Sequence, residues 1–201
     1  MMLDYRINTI VHPIMNSLAN HVPRQISANT ITLAGFAVGM MVVPLLWLKL
    51  YSAAMIVILV NRFFDGLDGA VARKRGPTNL GGYLDITCDF IFYSVVIMGF
   101  ALADRENNGL VAAFLIFSFI GTSSSFLAFA AAAEKKGIST NAHGIKGFFY
   151  LGGLTEGTET ILFFVIICMY PTTFPVLAVL FGSFCWITVL GRFNSAFTLL
   201  R

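Results

Sequence analysis

The chain is predicted to be an all-α integral membrane protein: six transmembrane helices preceded by an amphipathic helix on the membrane surface. Three observations predict this. Apolar residue types make up 57% of the 201 residues, and mean hydropathy is +0.81. Charged residues are 11%, against about 25% in a typical soluble domain, too few to cover a water-facing surface of this size. The apolar residues also gather into six stretches with short loops between them, each near the roughly 20 residues a spanning helix needs. This composition excludes a disordered chain, a charged nucleic-acid-binding face and a secreted disulfide scaffold. Cys88, Cys168 and Cys185 are isolated, odd in number and without metal-ligand spacing, so they read as small buried hydrophobes.

The elements follow in order. Over residues 3–20, Leu3, Ile7, Ile10, Val11, Ile14 and Leu18 recur at helical spacing among polar residues, which predicts a helix lying on the bilayer. Pro13 is expected to kink or split it. The six apolar stretches run over about 30–50, 52–73, 82–103, 109–133, 147–170 and 173–197. Two parts result: a juxtamembrane segment over 1–28 and a six-helix membrane domain over 29–201. Arg6 and Arg24 precede the first stretch, Arg73, Lys74 and Arg75 join the second to the third, Lys135, Lys136 and Lys146 join the fourth to the fifth, and Arg201 ends the chain. The opposite loops carry Lys49 and Arg105 near the helix ends, with Asp104 and Glu106 beside the latter. The positive-inside rule therefore puts both termini in the cytoplasm, and a cytoplasmic (inner) membrane is the expected location.

Four acids interrupt this apolar pattern. The second stretch contains VNRFFDGLDGAVAR and the third GGYLDITCDF, so Asp65, Asp68, Asp85 and Asp89 lie in or at the edge of spanning helices. A carboxylate at membrane depth costs about 2.5–3.5 kcal/mol on insertion scales, and such acids are functional candidates by default. At about 100° per residue, Asp65 and Asp68 share one helix face, and so do Asp85 and Asp89. The short basic loop makes the two helices antiparallel neighbours, so both pairs can converge. Convergent carboxylates require cations, and oxygen donors without His or Cys favour Mg²⁺, Mn²⁺ or Ca²⁺ over zinc. Gly69, Ala72 and Gly81 lie beside the acids and leave room for a ligand to approach the backbone. Arg73 offers a fork of donors suited to phosphate.

These residues carry a resemblance. Asp65-x-x-Asp68-Gly69-x-x-Ala72-Arg73, seven residues, then Gly81-x-x-x-Asp85-x-x-x-Asp89 resembles the full signature of the CDP-alcohol phosphotransferase family. Many members have eight residues in the gap. The start of the first stretch, Ser27-Ala28-Asn29-Thr30-Ile31-Thr32, is similar to the family's Pro-Asn-x-x-Thr, with Ala28 where Pro is common. The resemblance implies transfer of a substituted phosphate from a CDP-alcohol, usually CDP-diacylglycerol, to an alcohol with release of CMP. It implies that Asp65, Asp68 and Asp85 hold one or two divalent ions, Mg²⁺ or Mn²⁺. Asp89 would also border and help hold the metals, as a fourth metal residue, and act as general base. Gly69, Ala72, Arg73 and Gly81 would line the cytidine nucleotide, with Asn29 and Thr32 near its phosphates. Family members are often homodimers.

The acceptor is read from the fifth stretch, Gly153-Leu154-Thr155-Glu156-Gly157-Thr158-Glu159-Thr160. Glu156 and Glu159 share a face. They either pair with Arg62 or Arg192 or form a wall of the acceptor pocket that favours a polyol or amino alcohol. His143 and Lys146 temper this, since they suit a phosphate. Arg62, three residues before Asp65, can equally support the metal site. The small polar run Gly121 to Ser125 either satisfies helix contacts or lines a cavity. A rival reading of another class is a divalent-cation transporter using the same aspartates. It does not need Gly69, Ala72, Arg73 and Gly81 at these spacings.

Overall fold

A computed structural model describes residues 2–136, 155 and 157–200. The described residues are all helical apart from short connections. The elements are α1 (Met2–Ala19), α2 (Ala28–Gly39), α3 (Val42–Trp47), α4 (Tyr51–Arg75), α5 (Asn79–Ala103), α6 (Arg105–Lys135), α7 (Gly157–Met169), a 3-10 turn (Pro171–Thr173) and α8 (Phe174–Leu199).

Local chemistry sets most boundaries. Ser27 Oγ accepts from Thr30 N at 3.1 Å to cap α2, and Thr78 Oγ1 accepts from Gly81 N at 3.0 Å to cap α5. Asp104 caps α6, with Oδ1 accepting from Asn107 N at 3.2 Å and Oδ2 from Asn107 Nδ2 at 2.8 Å. These side chains satisfy donors that a helix start leaves unpaired. At the end of α4, Gly76 takes φ +99°, a left-handed conformation suited to glycine, while its N–H bonds Ala72 O at 3.0 Å.

One expectation is corrected and another is narrowed. The first stretch, expected as one helix over about 30–50, is broken at Met40–Met41 into α2 and α3. Pro44 is the cause: it has no N–H for the Met40 carbonyl four residues back, and its ring crowds that carbonyl. Val43 N turns to Met40 O at 3.3 Å instead. Pro13, by contrast, neither splits nor ends α1, which runs through it.

Among the described residues, four segments are long and apolar enough to cross a membrane: Ala28–Trp47, Asn79–Ala103, Arg105–Lys135 and Pro171–Leu199. Helix α4 has 25 residues, about 37 Å at 1.5 Å each, and its charged residues all lie from Arg62 onward. Outward faces are apolar, with Leu110, Val176, Leu190 and Phe197 exposed. The interior centres on α5, whose Phe92, Val96, Ile97 and Phe100 are buried against Val42 and Leu46 of α3, Ala54 and Ile58 of α4, and Phe164 and Ile167 of α7. Phe100 stacks on Phe174 at 4.8 Å and Phe163 on Phe181 at 4.5 Å. Lipid tails are as apolar as these side chains, so close packing rather than water exclusion holds such helices together. A Cβ on Gly182 would lie 2.6 Å from the Phe114 ring, which shows how close α6 and α8 approach.

Helix α1 packs on α4, with Ala19 buried beside Ala70 and Val71. Lys74 Nζ donates to Asn16 O and to Asn20 Oδ1, and Arg75 donates to Val22 O at 2.7 Å and Ile26 O at 2.6 Å. Two of the three loop cations thus tie α4 to the chain entering α2.

Candidate active site in the α4–α5 hairpin

Asp65 and Asp68 stand on the last three turns of α4, and Asp85 and Asp89 on the first three of α5. One oxygen from each of Asp65, Asp68 and Asp85 lies within 4.8 Å of the other two. Asp68 is buried at 5% exposure, and its Oδ2 has no hydrogen-bond partner. The convergence expected from spacing is therefore present for these three. A cleft of roughly 240 Å³, counting its open mouth, is lined by all four aspartates together with Thr32, Gly35, Phe36, Asn61, Arg62 and Cys88.

Asp89 stands at the border of the set and is engaged by Arg62. Arg62 Nη2 donates to Asp89 Oδ1, and Nη1 donates to Asp89 Oδ2 at 3.2 Å and to Asp65 Oδ2 at 3.3 Å. The Tyr93 hydroxyl donates to Asp89 Oδ2 at 3.2 Å. Arg62 is fixed from behind as well. Its Nε and Nη2 donate to Asn61 Oδ1 at 3.3 and 3.1 Å, and Asn61 Nδ2 donates to Gly35 O on α2 at 3.1 Å.

The other candidate residues flank the acids. A Cβ on Gly69 would meet Arg73 Nη1 at 3.3 Å, so the Arg73 side chain lies along the notch that Gly69 leaves. A Cβ on Gly81 would meet Asn29 Oδ1 at 3.1 Å and Thr78 Oγ1 at 3.0 Å, which joins the start of α2 to the start of α5. Thr32 lines the cleft while its Oγ1 donates to Ala28 O at 3.1 Å. Ala72 is half-buried one turn beyond Asp68. Asn61, Tyr93 and Gly35 went unnoticed in the sequence. The Asn61-Arg62 pair inside an apolar run was the available signal for the first.

For the acceptor segment, Glu156, His143 and Lys146 lie outside the described residues. Glu159 sits in the first turn of α7, whose first residue, Gly157, would place a Cβ 3.6 Å from the Tyr93 hydroxyl. Thr155 Oγ1 is 3.4 Å from Thr188 Oγ1 on α8. Arg62, one of the two partners considered for the glutamates, has its fork on Asp89. Arg192 is buried and donates to Thr122 O at 2.7 Å, with its guanidinium 5.4 Å from the Phe126 ring.

The donor set is all carboxylate, and one buried oxygen is left without a proton donor. Both features fit a hard divalent cation. A metal-compatible carboxylate cluster between paired apolar helices, with glycine notches beside it, defines a membrane-embedded phosphotransferase. The profile of the CDP-alcohol phosphatidyltransferase family matches residues 25–193, and the chain belongs to that family. It is accordingly a transferase of substituted phosphate groups, and Asp65, Asp68 and Asp85 form a set that could hold a divalent ion.

Particular relatives place it more closely. The chain is 47% identical to the inner membrane protein YnjF of Escherichia coli, over 100% of this chain and 98% of that one. It is 35% identical over 78 residues to an archaetidylinositol phosphate synthase of Pyrococcus horikoshii, covering 38% of this chain and 42% of the relative. Among solved structures, the Mycobacterium tuberculosis phosphatidylinositol phosphate synthase has the same fold. Its CDP-DAG-bound form gives a TM-score of 0.61 at 22% identity and 94% coverage of both chains. Its complex with manganese and citrate gives 0.62 at 22% identity, covering 94% of this chain and 89% of that one.

Proposed function

We propose that this protein transfers a phosphatidyl group from CDP-diacylglycerol to an alcohol and releases CMP, in phospholipid synthesis. The observation that carries this reading is the trio of carboxylate oxygens within 4.8 Å, one of them on a buried residue with an unpartnered oxygen, at the notched end of a two-helix hairpin. Asp65, Asp68 and Asp85 hold the divalent metal, with Asp89 at its border. When bound, the metal offsets the repulsion between carboxylates and diphosphate and stabilises charge on the departing oxygen. Gly69, Ala72 and Gly81 leave the space for the cytidine nucleotide. Arg73 pairs with its phosphate, and Asn29 and Thr32 lie near the phosphates.

Asp89 is the general base. The acceptor oxygen bonds to the phosphorus of the phosphatidyl group while the bond from that phosphorus to the oxygen leading to CMP breaks, and Asp89 takes the hydroxyl proton. The start of α7 next to Tyr93 supports an acceptor pocket beside Asp89, walled by Glu156 and Glu159. An acidic wall favours a polyol or an amino alcohol. The chain is organised as a juxtamembrane amphipathic segment over 1–28 and a membrane domain over 29–201. The domain has six spans, counting α4 and the segment ending in α7, and both termini are cytoplasmic. It lies in the inner membrane, as the name of its Escherichia coli relative supports, and assembles as a homodimer.

The test incubates purified protein with CDP-diacylglycerol, Mn²⁺ or Mg²⁺ and a panel of glycerol, glycerol phosphate, serine, inositol, choline and phosphatidylglycerol, reading CMP and product mass. Metal-dependent CMP release with an unphosphorylated alcohol is expected. Reaction with phosphorylated alcohols alone would remove the acidic-wall assignment. Mn²⁺ uptake into proteoliposomes without CMP release would favour a cation transporter.

A further inference from the structure

We propose that Arg75 is a positioning residue for the nucleotide: its guanidinium gathers the carbonyls of Val22, Pro23 and Ile26 and so holds the first turn of α2, and Asn29 above all, against the notch at Gly81. This rests on the phosphatidyl-transfer reading, which puts a cytidine nucleotide in that notch.

Helix α2 meets the α4–α5 hairpin from outside and carries two of the candidate nucleotide contacts. Its middle is pinned to α4. A Cβ on Gly35 would lie 2.5 Å from Phe64 Cβ, and one on Gly39 would lie 2.9 Å from Asn61 Nδ2. Asn61 Nδ2 also donates to Gly35 O at 3.1 Å. Asn29 stands six residues before Gly35, about 9 Å along the helix. The contact of α2 with α4 at that level is apolar, with Ile31 buried beside Ala70 and Val71. Apolar contact holds two surfaces together without setting a direction. Directional bonds at this end come from Arg75.

Arg75 is the last residue of α4. Its Nη1 donates to Ile26 O at 2.6 Å, and its Nη2 donates to Val22 O at 2.7 Å and Pro23 O at 3.3 Å. The donors of a guanidinium lie in one plane and move together. Three carbonyls on one fork therefore fix the shape of the turn over 22–26, which Ile26 N closes on Pro23 O at 3.1 Å. Ile26 leads directly into Ser27, whose hydroxyl caps α2 through Thr30 N. Asn29 follows, with its Oδ1 3.1 Å from the place of a Cβ on Gly81. Thr32 comes next and lines the cleft with Asp68. The three loop cations divide the work. Arg73 lies along the Gly69 notch, Lys74 holds Asn16 and Asn20, and Arg75 turns its fork to backbone carbonyls. Its effect on the nucleotide thus passes through the first turn of α2.

The test is a double-mutant cycle of Arg75→Gln and Asn29→Ala, reading CMP binding by calorimetry with Mn²⁺ present and CMP release from CDP-diacylglycerol at steady state. Arg75→Gln is expected to weaken CMP binding and raise KM for CDP-diacylglycerol about 10-fold, the scale of a lost charged hydrogen bond. Its kcat and its Mn²⁺ affinity without nucleotide should stay near wild type. Because Arg75 acts through Asn29, the double variant should bind CMP no more weakly than Asn29→Ala alone. Arg75→Lys keeps the charge without the fork and should stay weaker than wild type. Unchanged CMP binding in Arg75→Gln, additive losses in the cycle, or full recovery in Arg75→Lys would overturn the proposal. Should Arg75→Gln melt early in detergent, Arg75→Lys takes its place in the cycle. If wild type neither binds CMP nor releases it, the phosphatidyl-transfer reading fails and takes this assignment with it. If wild type does both and the losses add, the Arg75 assignment alone falls.

Discussion

Polar groups at membrane depth are handled differently in the two halves of this bundle. In α6 and α8, hydroxyls bond carbonyls of their own helix: Ser118 to Phe114 O at 2.8 Å, Ser125 to Thr122 O at 3.0 Å, Ser183 to Val179 O at 2.8 Å and Ser195 to Gly191 O at 3.0 Å. In α4 and α5 the acids bring carboxylates to the same depth, and Asp89 takes its cation, Arg62, from the neighbouring helix, with Tyr93 of its own helix as a second donor. A hydroxyl carries its own donor and can use the carbonyl one turn back. A carboxylate is acceptor-only, and the N–H groups of a helix interior are already taken, so it must find a cation or a donor elsewhere. Arg62 supplies that cation, with its fork on Asp89. Serine and threonine in the first half can remain structural, while the acids in the second half define a site.

The sharpest way to break this comparison is at Asp68. Asp68→Asn keeps the shape but gives the buried position its own donors, and both Mn²⁺ binding and CMP release should vanish. Retained Mn²⁺ affinity would show that the carboxylate set is not the metal site. Asp89→Asn is next: turnover should fall about 10²–10⁴-fold, the range for a general base, with donor and metal binding intact in equilibrium measurements. Near-normal turnover would remove the base assignment.

Smaller effects are expected where packing alone is at stake. Gly182→Ala drives a Cβ toward the Phe114 ring and should cost about 1–3 kcal/mol, as overpacking does. Gly121→Ala meets Trp186 and Val189 at an ordinary 3.5 Å and should melt like wild type. Thermal unfolding in detergent compares the two, and equal melting temperatures would show that the α6–α8 interface relaxes freely. Thr78→Ala removes the cap of α5 and should cost about 1 kcal/mol, with turnover nearly preserved because no reacting group is lost.

Much of this site was legible because its information is local. The spacings from Asp65 to Asp68 and from Asp85 to Asp89 fix shared faces, and the short loop fixes that the two helices adjoin. Ser27 and Thr78 likewise act three residues from their partners. What stayed hidden depends on distance across the fold. Arg62 was recognised as a possible support for the metal site and also as a possible partner of Glu156 or Glu159. Only the packing of α5 on α4 brings Asp89, 27 residues on, to its fork. Asn61 reaches Gly35, 26 residues back, and no period in the sequence points to that carbonyl. The break before α3 was readable in principle from Pro44, but the unbroken apolar run outweighed it. Pro13 carried the same signal and left α1 continuous, since one missing bond does not oblige a helix to stop.

The ties from Lys74 and Arg75 have a mechanical consequence. They grip carbonyls at Asn16, Val22 and Ile26 from the last turn of the helix that carries Asp65 and Asp68. Lys74 thereby couples α4 to α1, and Arg75 couples it to the connection before α2, so a shift of α1 reaches the helix that carries two of the acids.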